Sequence, residues 1–133
     1  MIAVDTNIVA YLLIPGEFTP FASRLVERDA DWAAPMLWRS EMRNVLALYL
    51  RKKLLTFEDA CAIQSHAEAL IAANEYPVDS LDVLHLTNSS GLSAYDCEFV
   101  ALAQQLGVPL VTTDKKLLRA YPAVAISLSA AAG

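Results

Sequence analysis

The sequence predicts an α/β domain in which a short parallel β-sheet carries helices on both faces. Three observations lead there. Apolar segments too short for helices stand near residues 2–4, 32–35, 108–111 and 123–128, and such runs bounded by turn residues suit interior strands. Stretches with apolar positions at helical spacing separate them. Parallel strands need crossover connections of that kind, and right-handed crossovers place helices on the faces of the sheet.

The elements follow in order. Ile2, Ala3 and Val4 form a strand that stops at Asp5-Thr6-Asn7, and residues 8–13 continue as a helix until Pro15-Gly16 breaks it. Phe21, Leu25 and Val26 place a second helix at about residues 20–31, before a brief strand from Trp32 to Pro35. Leu37, Trp38, Met42, Val45, Leu46, Tyr49 and Leu50 make the apolar stripe of a third helix, which ends in Arg51-Lys52-Lys53. Thr56 followed by Asp59 opens a fourth, running towards Asn74. Tyr76-Pro77-Val78 is a candidate short strand, and residues 80–90 form a helix stopped by Gly91. Ser93 followed by Asp96 starts the next helix, which carries Phe99, Val100, Leu102, Ala103 and Leu106 to Gly107. A buried strand at 108–111 leads to Asp114, a short helix at 115–120, and an edge strand at 123–128. The last few residues, Ala-Ala-Ala-Gly, are expected to be disordered.

At 133 residues this is a single domain, 1–133, with neither a linker nor a composition shift. A hydrophobic fraction of 56% is high for such a chain, and its mean hydropathy is +0.37. The longest apolar run, residues 8–14, is far below a membrane span. The excess predicts a covered surface, hence an oligomer or an obligate partner. No signal peptide is visible, and the chain is expected in the cytoplasm. Cys61 and Cys97 lie in helical patterns without metal spacing and are expected to be buried, reduced packing residues. Fifteen acidic against ten basic residues give a net charge of −5. Taken alone this argues against nucleic acid as a partner, unless the acids are gathered on cations and the clustered Lys and Arg form a local positive rim.

The chemistry lies with Asp5, Glu41, Asp96 and Asp114. Asp5, Asp96 and Asp114 each have a structural reading as helix-capping residues. Yet ligands of open parallel sheets bind at the carboxyl ends of strands, and Asp5 and Asp114 both follow strands directly. Glu41 flanks an apolar stripe, where a charge must be solvated, paired with Arg39 or Arg43, or bound to an ion. Carboxylates that converge without basic partners repel one another and select hard cations, Mg²⁺ or Mn²⁺. A cation so held binds phosphate oxygens, lowers the pKa of bound water and stabilises charge on a leaving oxygen.

At Val4-Asp5-Thr6-Asn7, Leu37-Trp38-Arg39-Ser40-Glu41, Ser93-Ala94-Tyr95-Asp96 with 99–103, and 110–117 ending in Thr113-Asp114-Lys115-Lys116-Leu117, the sequence resembles the PIN-domain ribonucleases, and among them the VapC-type toxins of bacterial toxin–antitoxin pairs. The pieces span nearly the whole chain. The resemblance implies a three-layer PIN-like fold and an acidic Mg²⁺ or Mn²⁺ site made by Asp5, Glu41, Asp96 and Asp114. It implies Thr6, Asn7 and Thr113 as polar supports, and an endoribonuclease that leaves 3′-hydroxyl and 5′-phosphate ends. A homodimer and a cognate antitoxin that blocks the site are implied partners, with RNA as substrate. Lys115, Lys116, Arg39 and Arg43 are the candidate RNA contacts. Glu98 is expected to be a solvated surface residue, His66 and His85 ordinary histidines, and Trp32 and Trp38 packing residues rather than base-stacking ones.

Two other functions compete. An Asp-based phosphatase or receiver-like domain would use Asp5 as phosphoryl acceptor, but Asn7 stands where a second aspartate is wanted and Glu41 is left unexplained. A catalytically inactive PIN-like binding module would have no reason to keep four mutually repelling acids.

Overall fold

The computed structural model describes residues 1–133. Strand β1 (Ile2–Val4) leads through α1 (Thr6–Leu13) and α2 (Thr19–Arg28) to β2 (Trp32–Pro35). Helices α3 (Trp38–Arg51) and α4 (Phe57–Ile71), with a 3₁₀ turn at Ala72–Asn74, precede β3 (Glu75–Tyr76). Helices α5 (Ser80–Ser90) and α6 (Ala94–Leu106) connect to β4 (Leu110–Thr112). Helix α7 (Lys115–Ala120), strand β5 (Ala125–Ser127) and α8 (Leu128–Ala132) follow.

All five strands are parallel, in the order β3-β2-β1-β4-β5. The chain thus winds outward from β1 to β3 on one side, then crosses back to β4 and β5 on the other. Helices α1 to α4 pack among themselves, whereas α5 and α6 pack on each other and α6 lies against β1, β2 and β4. This is the predicted three-layer architecture. Its three inner strands are buried at every position, as a sheet covered on both faces requires. Trp32 and Trp38 are fully buried, and each indole N–H is satisfied: Trp32 Nε1 donates to the Asp29 carbonyl at 2.7 Å and Trp38 Nε1 to Glu75 Oε2 at 2.9 Å. Both are packing residues.

The sequence places the fourth strand two residues early. Gly107 closes α6 in the left-handed region at φ 66°, and the Val108 N–H completes that cap by donating to the Ala103 carbonyl at 3.0 Å. Pro109 has no N–H to give. Pairing therefore begins at Leu110. The last strand is shorter than expected for a related reason: Ser127 caps α8 by accepting from the Ala130 N–H at 3.2 Å. The alanine-rich tail is ordered, contrary to expectation, because Leu128 and Ala132 are buried and α8 packs on α2. Cys97 is buried as predicted, but Cys61 is exposed, one position away from the α4 stripe of Ala60, Ala67 and Ile71. The edge strand β3 is Glu75–Tyr76 rather than 76–78. No helix is long and apolar enough to cross a membrane.

A polar clamp ties α3 to the sheet edge. Arg39 bonds Glu75 through two nitrogens at 2.6 Å each and Glu68 at 2.7 Å. The guanidinium holds the Glu75 carboxyl below its usual range, helped by the Trp38 indole. Glu75→Ala strips Arg39 and Trp38 of their shared acceptor at a side chain only 9% exposed. It is expected to cost about 2 kcal/mol, read as a lower midpoint in urea denaturation at pH 7. The deficit should narrow as pH falls through the carboxylate range and wild-type Glu75 is itself neutralised.

Candidate metal centre

β1 and β4 are neighbours, with Val4 opposite Val111. They form the switch point of the sheet, because the connection from β1 leaves on one side and β4 arrives from the other. A crevice of about 450 Å³ opens there, lined by Asp5, Thr6 and Asn7 at the end of β1, by Asp114 and Leu117 beyond β4, and by faces of α3 and α6. From α3 come Leu37, Ser40, Glu41, Asn44 and Val45, a stripe of perfect helical spacing; from α6 come Tyr95, Asp96 and Phe99. The four predicted acids meet in one place. No Lys, Arg or His lines it.

The acids do not have to choose between capping and the crevice. Asp5 is the N-cap of α1, its Oδ1 accepting from the Ile8 N–H at 3.3 Å, and Asp114 caps α7 by accepting from the Lys116 N–H at 2.8 Å. Glu41 and Asp96 stand in the first turns of α3 and α6. All four thus lie where helix N-termini favour negative charge. Ser93, not Asp96, caps α6, accepting from the Asp96 N–H at 3.1 Å, and this leaves the Asp96 carboxylate free to face the crevice.

Thr112 is the residue that sequence reasoning missed. Fully buried at the end of β4, its hydroxyl donates to Asp5 Oδ2 and accepts from the Asp114 N–H at 3.0 Å. One side chain thereby links two of the acids. Thr113, the predicted support, turns away and pairs with the Tyr11 hydroxyl at 3.2 Å. The signal was register: Val4 lies opposite Val111, so the next residues, Asp5 and Thr112, meet at the strand ends, while Thr113 lies beyond β4. Thr6 donates to Glu41 Oε1 at 2.7 Å. Asn7 lines the crevice and is exposed.

Glu41 does not pair with Arg39 or Arg43. Two positions from each along the helix, it points away from both, and Arg39 is held by Glu68 and Glu75. Arg43 shares Arg39's side of α3. Neither lines the crevice. Lys115 and Lys116 are exposed beside Asp114. Glu98 also differs from expectation. It is half-buried, its carboxyl is raised by desolvation, and its charge adds to that of Asp96 in raising Glu41. His66 and His85 are exposed and stand outside the crevice.

Burial pushes Asp5 up to about 6, against the lowering effect of Thr112 and Ile8, with Asp114 and Glu41 adding repulsion. Burial likewise raises Glu41, against its bond from Thr6. Such a set favours a cation. As they stand, no three Asp, Glu, His or Cys side chains are gathered tightly enough to enclose an ion by themselves. Mg²⁺ commonly takes one or two carboxylates and keeps several waters. The oxygen-only donor set fits a hard divalent ion of that kind.

Two outcomes are expected. The unfolded chain releases the Asp5 proton near 3.8 and the fold near 6, so the fold binds the extra proton between those values. In EDTA, stability should decline as pH rises through this window, by on the order of 3 kcal/mol from Asp5, and level off above it. Asp5→Asn retains the cap, so thermal unfolding from pH 4 to 8 should show the variant gaining on wild type across that window. Thr112→Val is expected to weaken Mn²⁺ binding about 10- to 100-fold in calorimetric titration, with Thr112→Ser restoring most of it.

Comparison with known proteins agrees with this architecture. Residues 2–122 match the family described as PIN domain. The chain is 28% identical to Ribonuclease VapC3 of Pyrobaculum aerophilum, covering 92% of this chain and 96% of that protein. In fold it is similar to FitAcB from Neisseria gonorrhoeae, with a TM-score of 0.76 at 18% identity over 96% of this chain and 98% of that one. It is also similar to a chain of a toxin–antitoxin complex from Klebsiella pneumoniae, with a TM-score of 0.72 at 17% identity over 96% and 98%. With its parallel sheet, its switch-point crevice and a family match over most of its length, the chain belongs to the PIN domain family.

Proposed function

We propose that this protein is a Mg²⁺- or Mn²⁺-dependent endoribonuclease acting as the toxin of a toxin–antitoxin pair. The observation that carries the proposal is a crevice at the β1/β4 switch point lined by Asp5, Glu41, Asp96 and Asp114 and by no cationic side chain. Family membership and the similarity to Ribonuclease VapC3 direct that chemistry to RNA. The similarity in fold to a chain of a toxin–antitoxin complex suggests the protein partner. A cytoplasmic homodimer, silenced by its antitoxin, completes the reading. Exposed Leu48, Leu54 and Phe57 near the α3–α4 turn and Leu81 and Leu84 on α5 supply apolar surface for such partners.

The four acids would hold the ion, which when bound activates water and stabilises charge on the leaving oxygen of a phosphodiester. The chain's own residues set the stage. Thr112 aims Asp5 and fixes the Asp114 backbone, while Thr6 aims Glu41. Leu37, Val45, Phe99 and Leu117 contribute the apolar part of a lining that is otherwise polar and acidic. Lys115 and Lys116, exposed at the start of α7, meet the RNA backbone at the rim.

Purified protein freed of any antitoxin should cut a mixed pool of tRNA, ribosomal RNA and single-stranded RNA with Mg²⁺ or Mn²⁺, and not with EDTA. Asp5→Asn, Glu41→Gln, Asp96→Asn and Asp114→Asn should each lower the rate about 100-fold or more while remaining folded. Wild type that stays inert on every substrate, or variants as active as wild type, would refute the proposal.

A further inference from the structure

The acidic crevice poses a problem of affinity. The chain carries a net charge of −5, and no Lys, Arg or His lines the place where a phosphate must sit. Rim lysines act at a distance, screened by salt. The ion that the acids would hold accounts for the phosphate; the base beside that phosphate needs a contact of its own, and an uncharged group suits it.

Of the two aromatic rings on the crevice wall, Phe99 is 2% exposed and belongs to the core, but Tyr95 is 63% exposed. Two other tyrosines are tied into the fold by their hydroxyls: Tyr11 pairs with Thr113, and Tyr121 donates to the Leu86 carbonyl at 2.9 Å. Tyr95 stands at the start of α6, immediately before Asp96. Trp32 and Trp38 are fully buried and unavailable for stacking. Asp5, the deepest acid, is 9% exposed, so a phosphate approaching it must bring its flanking nucleotide into the crevice. Bases stacked in a duplex cannot follow; an unpaired nucleotide can.

We infer that Tyr95 is the platform on which an unpaired RNA base beside the scissile phosphate stacks. The inference rests on the ribonuclease reading proposed above. Stacking on the ring face accepts any base, so Tyr95 contributes affinity rather than sequence preference. Ser40 and Asn44, on the α3 stripe that lines the same crevice, are neutral groups available to an entering nucleotide's polar edge.

The test uses short single-stranded oligoribonucleotides with 2-aminopurine, or an abasic residue, at successive positions. Tyr95→Ala should lower kcat/KM about 5- to 150-fold, and Tyr95→Phe should retain most of the activity because the ring remains. Wild type should lose a similar factor when the stacked base is abasic, and Tyr95→Ala should then lose little more. Binding is measured separately in Asp96→Asn protein: fluorescence quenching of one 2-aminopurine position should disappear when Tyr95→Ala is added. This second readout needs no cleavage, so an inert wild type would refute the ribonuclease reading while quenching still judged the platform. Equal kinetics and quenching in Tyr95→Ala would overturn the inference, as would equal losses in Tyr95→Phe and Tyr95→Ala. Unchanged RNA cleavage with weakened self-association or antitoxin binding would also overturn it and assign the ring to a protein partner.

Discussion

The parallel pairing of β1 with β4 is the constraint from which the site follows. The two strands lie 105 residues or more apart in sequence, and only their pairing, Ala3 with Leu110 and Val4 with Val111, brings Asp5 beside Thr112. The backbone continues the ladder one step further, the Asp5 N–H donating to the Val111 carbonyl at 3.3 Å. Because side chains alternate along a strand, that register puts the Thr112 hydroxyl against the Asp5 carboxylate. A slip of one residue would move the Thr112 hydroxyl off Asp5 and leave the Ile8 N–H as its remaining donor. The switch point thus serves two purposes: it opens a crevice and fixes the protonation-sensitive acid at its floor.

Four carboxylates in one crevice are an energetic liability that the fold offsets locally. Helix N-termini supply partial positive charge, and the hydroxyls of Thr6 and Thr112 supply donors without adding a charge that would compete with a cation. Burial raises the carboxyls of Asp5, Glu41 and Glu98, and repulsion from neighbouring acids adds to it at Asp5 and Glu41.

Helix α3 shows how one element serves the core, the clamp and the crevice at once. Trp38, Met42 and Leu46 enter the core, Arg39 grips Glu68 and Glu75, and Leu37, Ser40, Glu41, Asn44 and Val45 face the crevice. The 100° step between residues keeps these faces apart. Arg39 can therefore anchor the helix that carries Glu41 without neutralising it.

Much of this was legible in the sequence. Short apolar runs between helical stripes determined the parallel α/β class, and capping signatures with Gly91 and Gly107 marked helix ends. Asp5 and Asp114 could be recognised because both follow strands directly. Local rules set local structure, since helix periodicity, caps and glycine stops act within a few residues. Tertiary structure decided whatever depends on which way a side chain faces. Strand register chose Thr112 over Thr113, helix phase sent Arg39 to Glu75 and Glu41 to Thr6, and the packing of α8 on α2 ordered an alanine tail that has no strong pattern of its own. Register and phase join residues far apart in the chain, and one residue's shift reverses the result. That is why the chain by itself specified the acids, and only the folded sheet specified what holds them.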